Sequence, residues 1–241
     1  MNWKSIIKID ILFMKKIVFV IIIAILYGAL DVSAQKDYAT VVYNNLTCKL
    51  PIPYTGFKTI PGDFKPDFDS LRPTDGMTYY YYLDVYDYNE YTEADEPEYK
   101  FEKFMSIGFK LDGKTKAWQI NDFNSYMKSL SDSLNTDLTQ IMDSVKSYYS
   151  IPKGKLLYSD LDKPKKLGCL YKMKDAFGII SAEYSVSEIN PVKMMCVVNH
   201  VIFKRKICYA IMYCIYSSPE DIRWLKDASE AWAKRILELN K

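Results

Sequence analysis

The chain has 241 residues, of which 32 are basic, 30 are acidic and one is histidine. This length is enough for one substantial hydrophobic core and is short for two. The nearly balanced charge gives no electrostatic basis for binding nucleic acid or an anionic membrane, and a single histidine excludes a zinc site built from several histidines.

The first feature along the chain is an export signal. Two lysines follow Met14, an apolar run of about 14 residues comes next, and the sequence Val-Ser-Ala ends at Ala34. A membrane-spanning helix needs roughly 20 apolar residues, so a cleaved signal is favoured over an anchor. We therefore predict that residues 1–34 are removed, that Met14 is the true start, and that the protein is exported to the periplasm or outside the cell with no membrane span left.

Removal of this leader changes the charge of the chain. Residues 1–34 carry four lysines and two aspartates, which leaves 28 basic and 28 acidic residues in the remaining 207. The mature chain is therefore formally neutral. With no long linker of Ser, Pro or Gly and no internal repeat, we predict one domain spanning residues 35–241.

The first half of that domain predicts strands joined by a long loop. Residues 39–43 form a first strand, and closely spaced prolines over residues 51–76 forbid a helix there and indicate an extended loop. Residues 77–88 alternate as a tyrosine-rich strand. Residues 101–111 form the next strand, and Asp112-Gly113 indicates a hairpin turn into a returning strand at 116–120.

Helical spacing follows the predicted hairpin. Apolar residues recur every three or four positions from Phe123 to Tyr148, which predicts one helix that begins after a cap at Asn121 or Asp122 and ends before Pro152. A kink is expected near residues 135–136.

The second half predicts four strands and a closing helix. The strands span residues 169–174, 179–187, 192–203 and 206–216, and the last two are apolar on both faces, as expected of central strands covered on both sides. Lys204-Arg205 marks the bend between these two. Ser218 and Pro219 then suit the cap and the first position of the last helix.

Together these elements predict an α+β fold, an antiparallel sheet with long helices packed on both faces. The Leu-Pro-Ile-Pro-Tyr-x-Gly-Phe segment at residues 50–57 and the strand and helix over residues 206–239 resemble the Mog1/PsbP-like α/β/α sandwich. This resemblance implies a small accessory or binding module. Because that superfamily shares no catalytic residues, it implies no role for any single residue here.

The tyrosine-rich strand offers a candidate binding surface. Its even positions place Tyr80, Tyr82 and Tyr86 on one face. If nothing covers this face, the three rings form an amphipathic platform for a protein, peptide or glycan. If a helix covers it, they belong to the core.

The five cysteines raise the question of a disulfide, since export permits one. With a three-residue loop at 204–206, Cys196 lies opposite Cys214 and the two can bridge. With a two-residue loop at 204–205, Cys196 lies opposite Tyr213 instead. The remaining alternative is a set of buried free thiols.

Other residues carry weaker chemical signals. The acidic segment 84–98 spaces its oxygen ligands like a calcium loop, but a Tyr occupies a ligand position and a Thr replaces the turn glycine, so we predict a solvated hairpin loop without a metal. Asp67 with Asp69, or Asp84 with Asp87, are carboxylate pairs for glycoside hydrolysis. His200 sits mid-strand among apolar residues, which favours packing over catalysis.

The sequence thus predicts a non-enzymatic, exported accessory or binding domain for an unknown protein, peptide or glycan, with no cofactor. One alternative is a carboxylate-based hydrolase acting on polysaccharide. The other is a surface adhesion protein that uses its tyrosine-rich face.

Overall fold

The computed structural model describes residues 37–43, 45–53, 57–60, 77–84, 102–110, 117–150, 164–185 and 192–241. A two-stranded ribbon pairs β1 (Tyr38–Tyr43) with β2 (Leu46–Pro51). Seven further strands are β3 (Phe57–Thr59), β4 (Met77–Asp84), β5 (Lys103–Lys110), β6 (Lys165–Lys172), β7 (Ala176–Ser185), β8 (Val192–Phe203) and β9 (Lys206–Ile215). These seven form one antiparallel sheet in the order β3-β4-β5-β9-β8-β7-β6.

Helices cover both faces of this sheet in the described part of the chain. They are α1 (Ile120–Ser131), α2 (Leu138–Tyr149) and α3 (Pro219–Leu239). We call the side packed against α3, α2 and the ribbon the α3 face; its strand residues include Tyr82, Met105, Val197, Ala210 and Met212. We call the side packed against α1 the α1 face; its strand residues include Phe177, Ile179, His200, Ile202 and Ile207. The prediction of an α+β sandwich covered on both faces is confirmed.

The middle of the sheet is built from the two strands that are apolar on both faces. β8 and β9 lie between β5 and β7, and β8 has the bounds predicted from the sequence. Val197 and Ala210 are fully buried toward α3, while Ile202 and Ile207 are buried toward α1. Continuous apolar runs therefore correctly indicated the central strands, because such strands have no solvent-facing side.

The single helix predicted over residues 121–149 is two helices. α1 ends at Ser131, α2 begins at Leu138 with Asp137 as its cap, and the Asn135 carbonyl between them accepts a 2.8 Å bond from the Cys169 backbone N–H of edge strand β6. Since α1 packs on one face and α2 on the other, this segment carries the chain around the sheet edge. The helical pattern continued through the break because each helix separately needs an apolar stripe.

Two predictions near the start of the chain are wrong. Residues 117–119 form no strand, β5 pairs with β4 and β9, and α1 already begins at Ile120 after an N-cap at Gln119. The predicted returning strand therefore does not form. The loop predicted over residues 51–76 is also wrong in part, because Pro51 ends strand β2, which pairs with β1 after Asn45 turns at φ 62°, and Phe57–Thr59 form β3.

The start of α3 follows the prediction. Ser218 is the N-cap, Pro219 is the first helical residue, and the Asp221 carboxylate accepts 2.8 Å bonds from the Ser217 and Ser218 backbone N–H groups. These bonds satisfy donors that a helix start leaves free.

Residues Tyr38–Lys241 form one compact unit, and the predicted leader lies outside the described residues. No described helix has the length and apolarity that a membrane crossing requires.

Candidate functional site

Of the three tyrosines for which a platform and a core position were the alternatives, Tyr82 lies in the core. Tyr82 is 0% exposed, and its ring meets the edge of Trp232 with centroids 5.9 Å apart. Tyr80 is half-buried against the same cluster, and Tyr86 lies outside the described residues. Because α3 covers this side of β4, the platform hypothesis is wrong for Tyr82, and the core alternative describes it.

The other side of β4 is buried as well. Tyr79 and Tyr81 are 4% and 2% exposed and stack with centroids 6.0 Å apart. Both sides of this strand therefore contribute to the core, which the alternation of its residues could not reveal, since tyrosine suits a buried position and a half-exposed one equally.

The proposed disulfide between Cys196 and Cys214 lacks the register that it requires. The β8–β9 loop has two residues, Cys196 lies opposite Tyr213, and Cys214 lies opposite Met195. A shift of one residue moves a side chain to the other side of a sheet. Accordingly Cys214 packs in the α3-face core and Cys196 packs beside Ile211 on the opposite side.

All five cysteines are buried free thiols in this structure. Burial is the main factor that raises the pKa of Cys208 and Cys214 well above the ordinary range for a thiol. These thiols therefore remain protonated and unreactive near neutral pH, and they pack as small hydrophobic residues.

His200 is a packed aromatic residue, as the sequence indicated. It is 7% exposed and stacks flat on Phe177 with centroids 4.4 Å apart. Its Nδ1 lies 3.1 Å from the Tyr126 hydroxyl, which also hydrogen-bonds with Tyr209. Burial, and then the nearby Lys166 charge, lower the pKa of His200 to about 3, so the ring stays neutral at physiological pH.

The acidic candidates remain untested by the structure. The side chains of Asp67, Asp69, Asp84 and Asp87, and the whole predicted hairpin loop after Asp84, lie outside the described residues. Among the side chains that are described, no three His, Cys, Asp or Glu residues come together as a metal site.

An open pocket of about 390 Å³ lies where the β8–β9 turn, the start of α1 and the end of α3 meet. Its apolar walls come from Trp118, Ile120, Ile202, Phe203 and Leu237. Its polar side chains are Gln119, Asp175, Lys204, Arg205, Asn240 and Lys241. The pocket therefore combines an apolar wall with a polar rim in which three residues are cationic and one is acidic.

Two of the cations belong to a strained turn. Lys204 and Arg205 alone join β8 to β9, with φ angles of 47° and 63°. Such turns strongly favour Asn-Gly, because left-handed backbone costs other residues about 1–2 kcal/mol each. The Lys204 ammonium donates a 3.0 Å bond to the Thr47 carbonyl of β2. Backbone strain of this kind clusters at functional sites.

Arg205 is the cation of the turn whose side chain is available to a ligand. Its side chain is exposed and forms no ion pair with any described residue, while its carbonyl accepts a 2.9 Å bond from the Trp118 backbone N–H. Beside it, the Gln119 side chain makes no capping bond to α1. A guanidinium and an amide are therefore available as donors at the pocket.

Two residues of the apolar wall, Ile120 and Trp118, differ in how far their side chains are exposed. Ile120 is 36% exposed, one of the few large hydrophobic side chains open to solvent among those described. Trp118 is half-buried and packs on Tyr126 with centroids 5.3 Å apart, which attaches the wall to the α1-face core. An apolar wall of this kind can bury an apolar group of a partner.

Sequence reasoning identified the bend at Lys204-Arg205 but did not recognise the pocket. The available signal was a pair of long cationic residues in a two-residue hairpin turn, where Asn-Gly is expected. The remaining wall residues come from distant parts of the chain, so no local pattern connects them.

Comparisons with known proteins add a fold-level similarity. No known protein family and no curated protein matches the chain. Two solved structures that match are the Ran-binding protein Mog1p of Saccharomyces cerevisiae and a mutant form of Mog1. Each is 11% identical, with 84% of this chain and 92% of that chain covered and a TM-score of 0.30. The similarity is to the fold alone, and the architecture rests on the strand order and helix layers described above.

Proposed function

We propose that this chain is an exported binding module that holds a partner protein at the pocket beside the β8–β9 turn. The observation that carries the proposal is the turn itself, because Lys204 and Arg205 occupy a strained conformation at the rim of an apolar-walled pocket. A turn selected only for folding would favour Asn-Gly. The leader at residues 1–34 supports export, and binding rather than catalysis agrees with a histidine that stays neutral and packed.

The two alternative functions have no observation that favours them. The carboxylate pairs of a hydrolase lie on side chains that are not described, and the tyrosine face of an adhesion protein contains the fully buried Tyr82.

The turn allows a test that separates binding from folding. The double substitution Lys204→Asn/Arg205→Gly relieves the backbone strain and removes both cations. We expect this variant to melt a few degrees higher, about 2–4 °C per kcal/mol gained for a domain of this size, and to lose its partner.

Partner binding can be followed in the producing cells with a photo-crosslinking residue at Gln119. We expect a crosslinked product with the natural turn and none with the substituted turn. The matched control carries the same crosslinker at the exposed Lys146 on α2, away from the pocket lining. An unchanged product after the turn substitution, or an equal product from position 146, contradicts the proposal.

Export is tested by fractionation and by sequencing the N-terminus of the purified protein. We expect the chain to begin at Gln35 and to occur in the periplasm or the medium. A chain that begins at Met1 or Met14 in the cytoplasm contradicts this part of the proposal.

A further inference from the structure

We propose that the pocket beside the β8–β9 turn recognises an acidic peptide segment of its partner, in which a carboxylate lies next to a large apolar side chain. This inference rests on the proposed function and specifies the chemistry of the ligand.

The rim charges favour an anionic ligand. The residues that line the pocket include three with cationic side chains, Lys204, Arg205 and Lys241, and one with an acidic side chain, Asp175. Lys204 already binds the Thr47 carbonyl, so of the two turn cations Arg205 is the one open to an incoming anion, and the exposed Lys241 is a further cation at the pocket. A guanidinium binds a carboxylate through two parallel hydrogen bonds, an arrangement that is stronger than a neutral hydrogen bond.

The dipoles of the two helices that end at the pocket do not change its preference for an anion. Gln119 and Ile120 belong to the positive start of α1, whereas Leu237 and Asn240 belong to the negative end of α3. Asp122 also lies in the first turn of α1. Since opposed dipole ends offset each other, the side chains of the turn decide the charge preference.

The wall favours an apolar group beside the anion. Trp118 and Leu237 are half-buried and Ile120 is exposed, so these three present apolar surface to water, whereas Ile202 and Phe203 in the same lining are buried. An aromatic or aliphatic side chain placed there removes this surface from water. Interfaces commonly combine such an apolar anchor with charged groups at the rim.

A peptide carboxylate fits these donors better than a phosphate does. Phosphate sites commonly gather several free backbone N–H groups, as at glycine-rich loops. Here no glycine is among the described residues that line the pocket, and the Trp118 N–H is already bonded to the Arg205 carbonyl, so the Arg205 guanidinium remains a donor beside the apolar wall. One planar carboxylate and one adjacent apolar side chain match that arrangement.

The experiment starts with selection of short random peptides displayed on phage, on the full chain purified as the cell processes it. The same selection on the Lys204→Asn/Arg205→Gly variant is the reference. We expect the natural chain to enrich Asp or Glu next to Phe, Trp, Tyr or Leu, and the variant to lose this enrichment. No enrichment of acidic residues, or equal enrichment on both proteins, overturns the inference.

The best selected peptide, labelled with fluorescein, then serves as the probe in fluorescence anisotropy. Arg205→Gln should weaken its binding about tenfold, as expected for the loss of one charge-assisted contact. Arg223→Gln is the matched control, because it removes the same charge from α3 about 20 Å along the helix from Leu237. Raising NaCl from about 0.05 M to about 0.5 M should also weaken binding several-fold. Equal effects of the two substitutions, or competition by inorganic phosphate, overturn the inference.

The outcomes separate this inference from the proposed function. Selected peptides that lack acidic residues but still depend on the natural turn contradict the acidic ligand and leave the binding site standing. Peptides that bind independently of the turn, together with a Gln119 crosslink that does not depend on it, contradict both.

Discussion

The two faces of the central sheet differ in the extent of their cores. The α3 face is a large core in which Trp232 and Ile236 pack against fully buried strand residues, and in which the Tyr171 hydroxyl donates a 2.8 Å bond to the Asn199 side chain. The α1 face is smaller among the described residues, and there His200 is bonded to the Tyr126 hydroxyl beneath helix α1. The difference in the extent of the two cores indicates that the α3 face supplies most of the stability.

The candidate site borders both faces. Trp118 packs on Tyr126 of the α1 face and also forms part of the pocket wall, and Phe203 and Leu237 of that wall pack in the α3-face core. Changes in the α3 face should therefore alter stability most, and changes beside the turn should alter binding with little effect on stability. Four substitutions or sets of conditions test this comparison.

The largest expected effect is that of Trp232→Ala on the α3 face. Trp232 is 1% exposed and its indole N–H donates a 3.0 Å bond to the Pro51 carbonyl. The substitution leaves a cavity and an unpaired carbonyl, so we expect a loss of about 3–5 kcal/mol in urea unfolding. The control Trp224→Ala changes a half-buried ring that Lys103 contacts at 4.8 Å, and it should cost about 1 kcal/mol. Equal losses of stability in the two variants would show that the buried position of Trp232 in the α3 face contributes no more to stability than the half-buried position of Trp224.

The next effect is a pH dependence located on the α1 face. Burial lowers the pKa of His200 from 6.5 to about 3, so within this window the unfolded chain binds a proton that the folded chain does not. Stability is therefore fully present above pH 6.5 and falls with falling pH, by at most about 1.4 kcal/mol per unit for one proton.

Unfolding titrations between pH 7 and pH 5 check this expectation. His200→Phe keeps an aromatic ring against Phe177 and should reduce the slope. Tyr126→Phe removes the hydroxyl partner but leaves the imidazole, so its slope should resemble that of the natural chain. A natural slope in His200→Phe contradicts the assignment of the pH dependence to this residue.

A smaller loss is expected where the chain crosses between the faces. A Cβ at Gly168 would lie 2.4 Å from Cγ1 of Ile141 and 3.0 Å from the Asn135 carbonyl oxygen. Gly168→Ala should therefore cost about 1–3 kcal/mol through overpacking. Ile141→Ala removes the clashing atoms, so the double variant should lose less than the sum of the single losses. Strict additivity in thermal unfolding would show that α2 moves away without strain.

The smallest effect distinguishes two tyrosine hydroxyls of the α3 face. The Tyr82 hydroxyl is buried without a hydrogen-bond partner, whereas the Tyr149 hydroxyl donates to the Glu183 and Met194 carbonyls. Tyr149→Phe should cost about 1 kcal/mol, and Tyr82→Phe should be neutral or slightly stabilising. The ratio of folded to unfolded chain in guanidinium measures both. A larger loss for Tyr82→Phe would show that its hydroxyl has a partner in solution.

Local sequence patterns correctly predicted those elements whose burial or capping depends on adjacent residues in the chain. The apolar runs of β8 and β9 indicated central strands, and Ser218 with Pro219 indicated the start of α3. The helix break was located near residues 135–136 but was expected as a kink. The helical spacing of apolar residues identifies the apolar side of each helix. It does not show which face of a sheet that side packs against.

The candidate site was less predictable than the fold. Whether Tyr82 forms a platform depends on which element packs on its strand, and in the structure it is fully buried. Whether Cys196 can form a disulfide depends on its partner across the β8–β9 pair, which is Tyr213 and not Cys214. The pocket was missed because Trp118, Arg205 and Leu237 are brought together only by the packing of three separate elements.

By itself, the sequence determined the class of the fold, its central strands and a leader pattern that predicts export. These follow from periodicity and from runs of one residue type, which act over a few neighbouring positions. Only the tertiary structure decided which tyrosines are buried, which register β8 and β9 adopt, and where a cationic turn meets an apolar wall. Those outcomes depend on contacts between residues that are far apart in the chain, since burial and pairing are properties of the packed molecule.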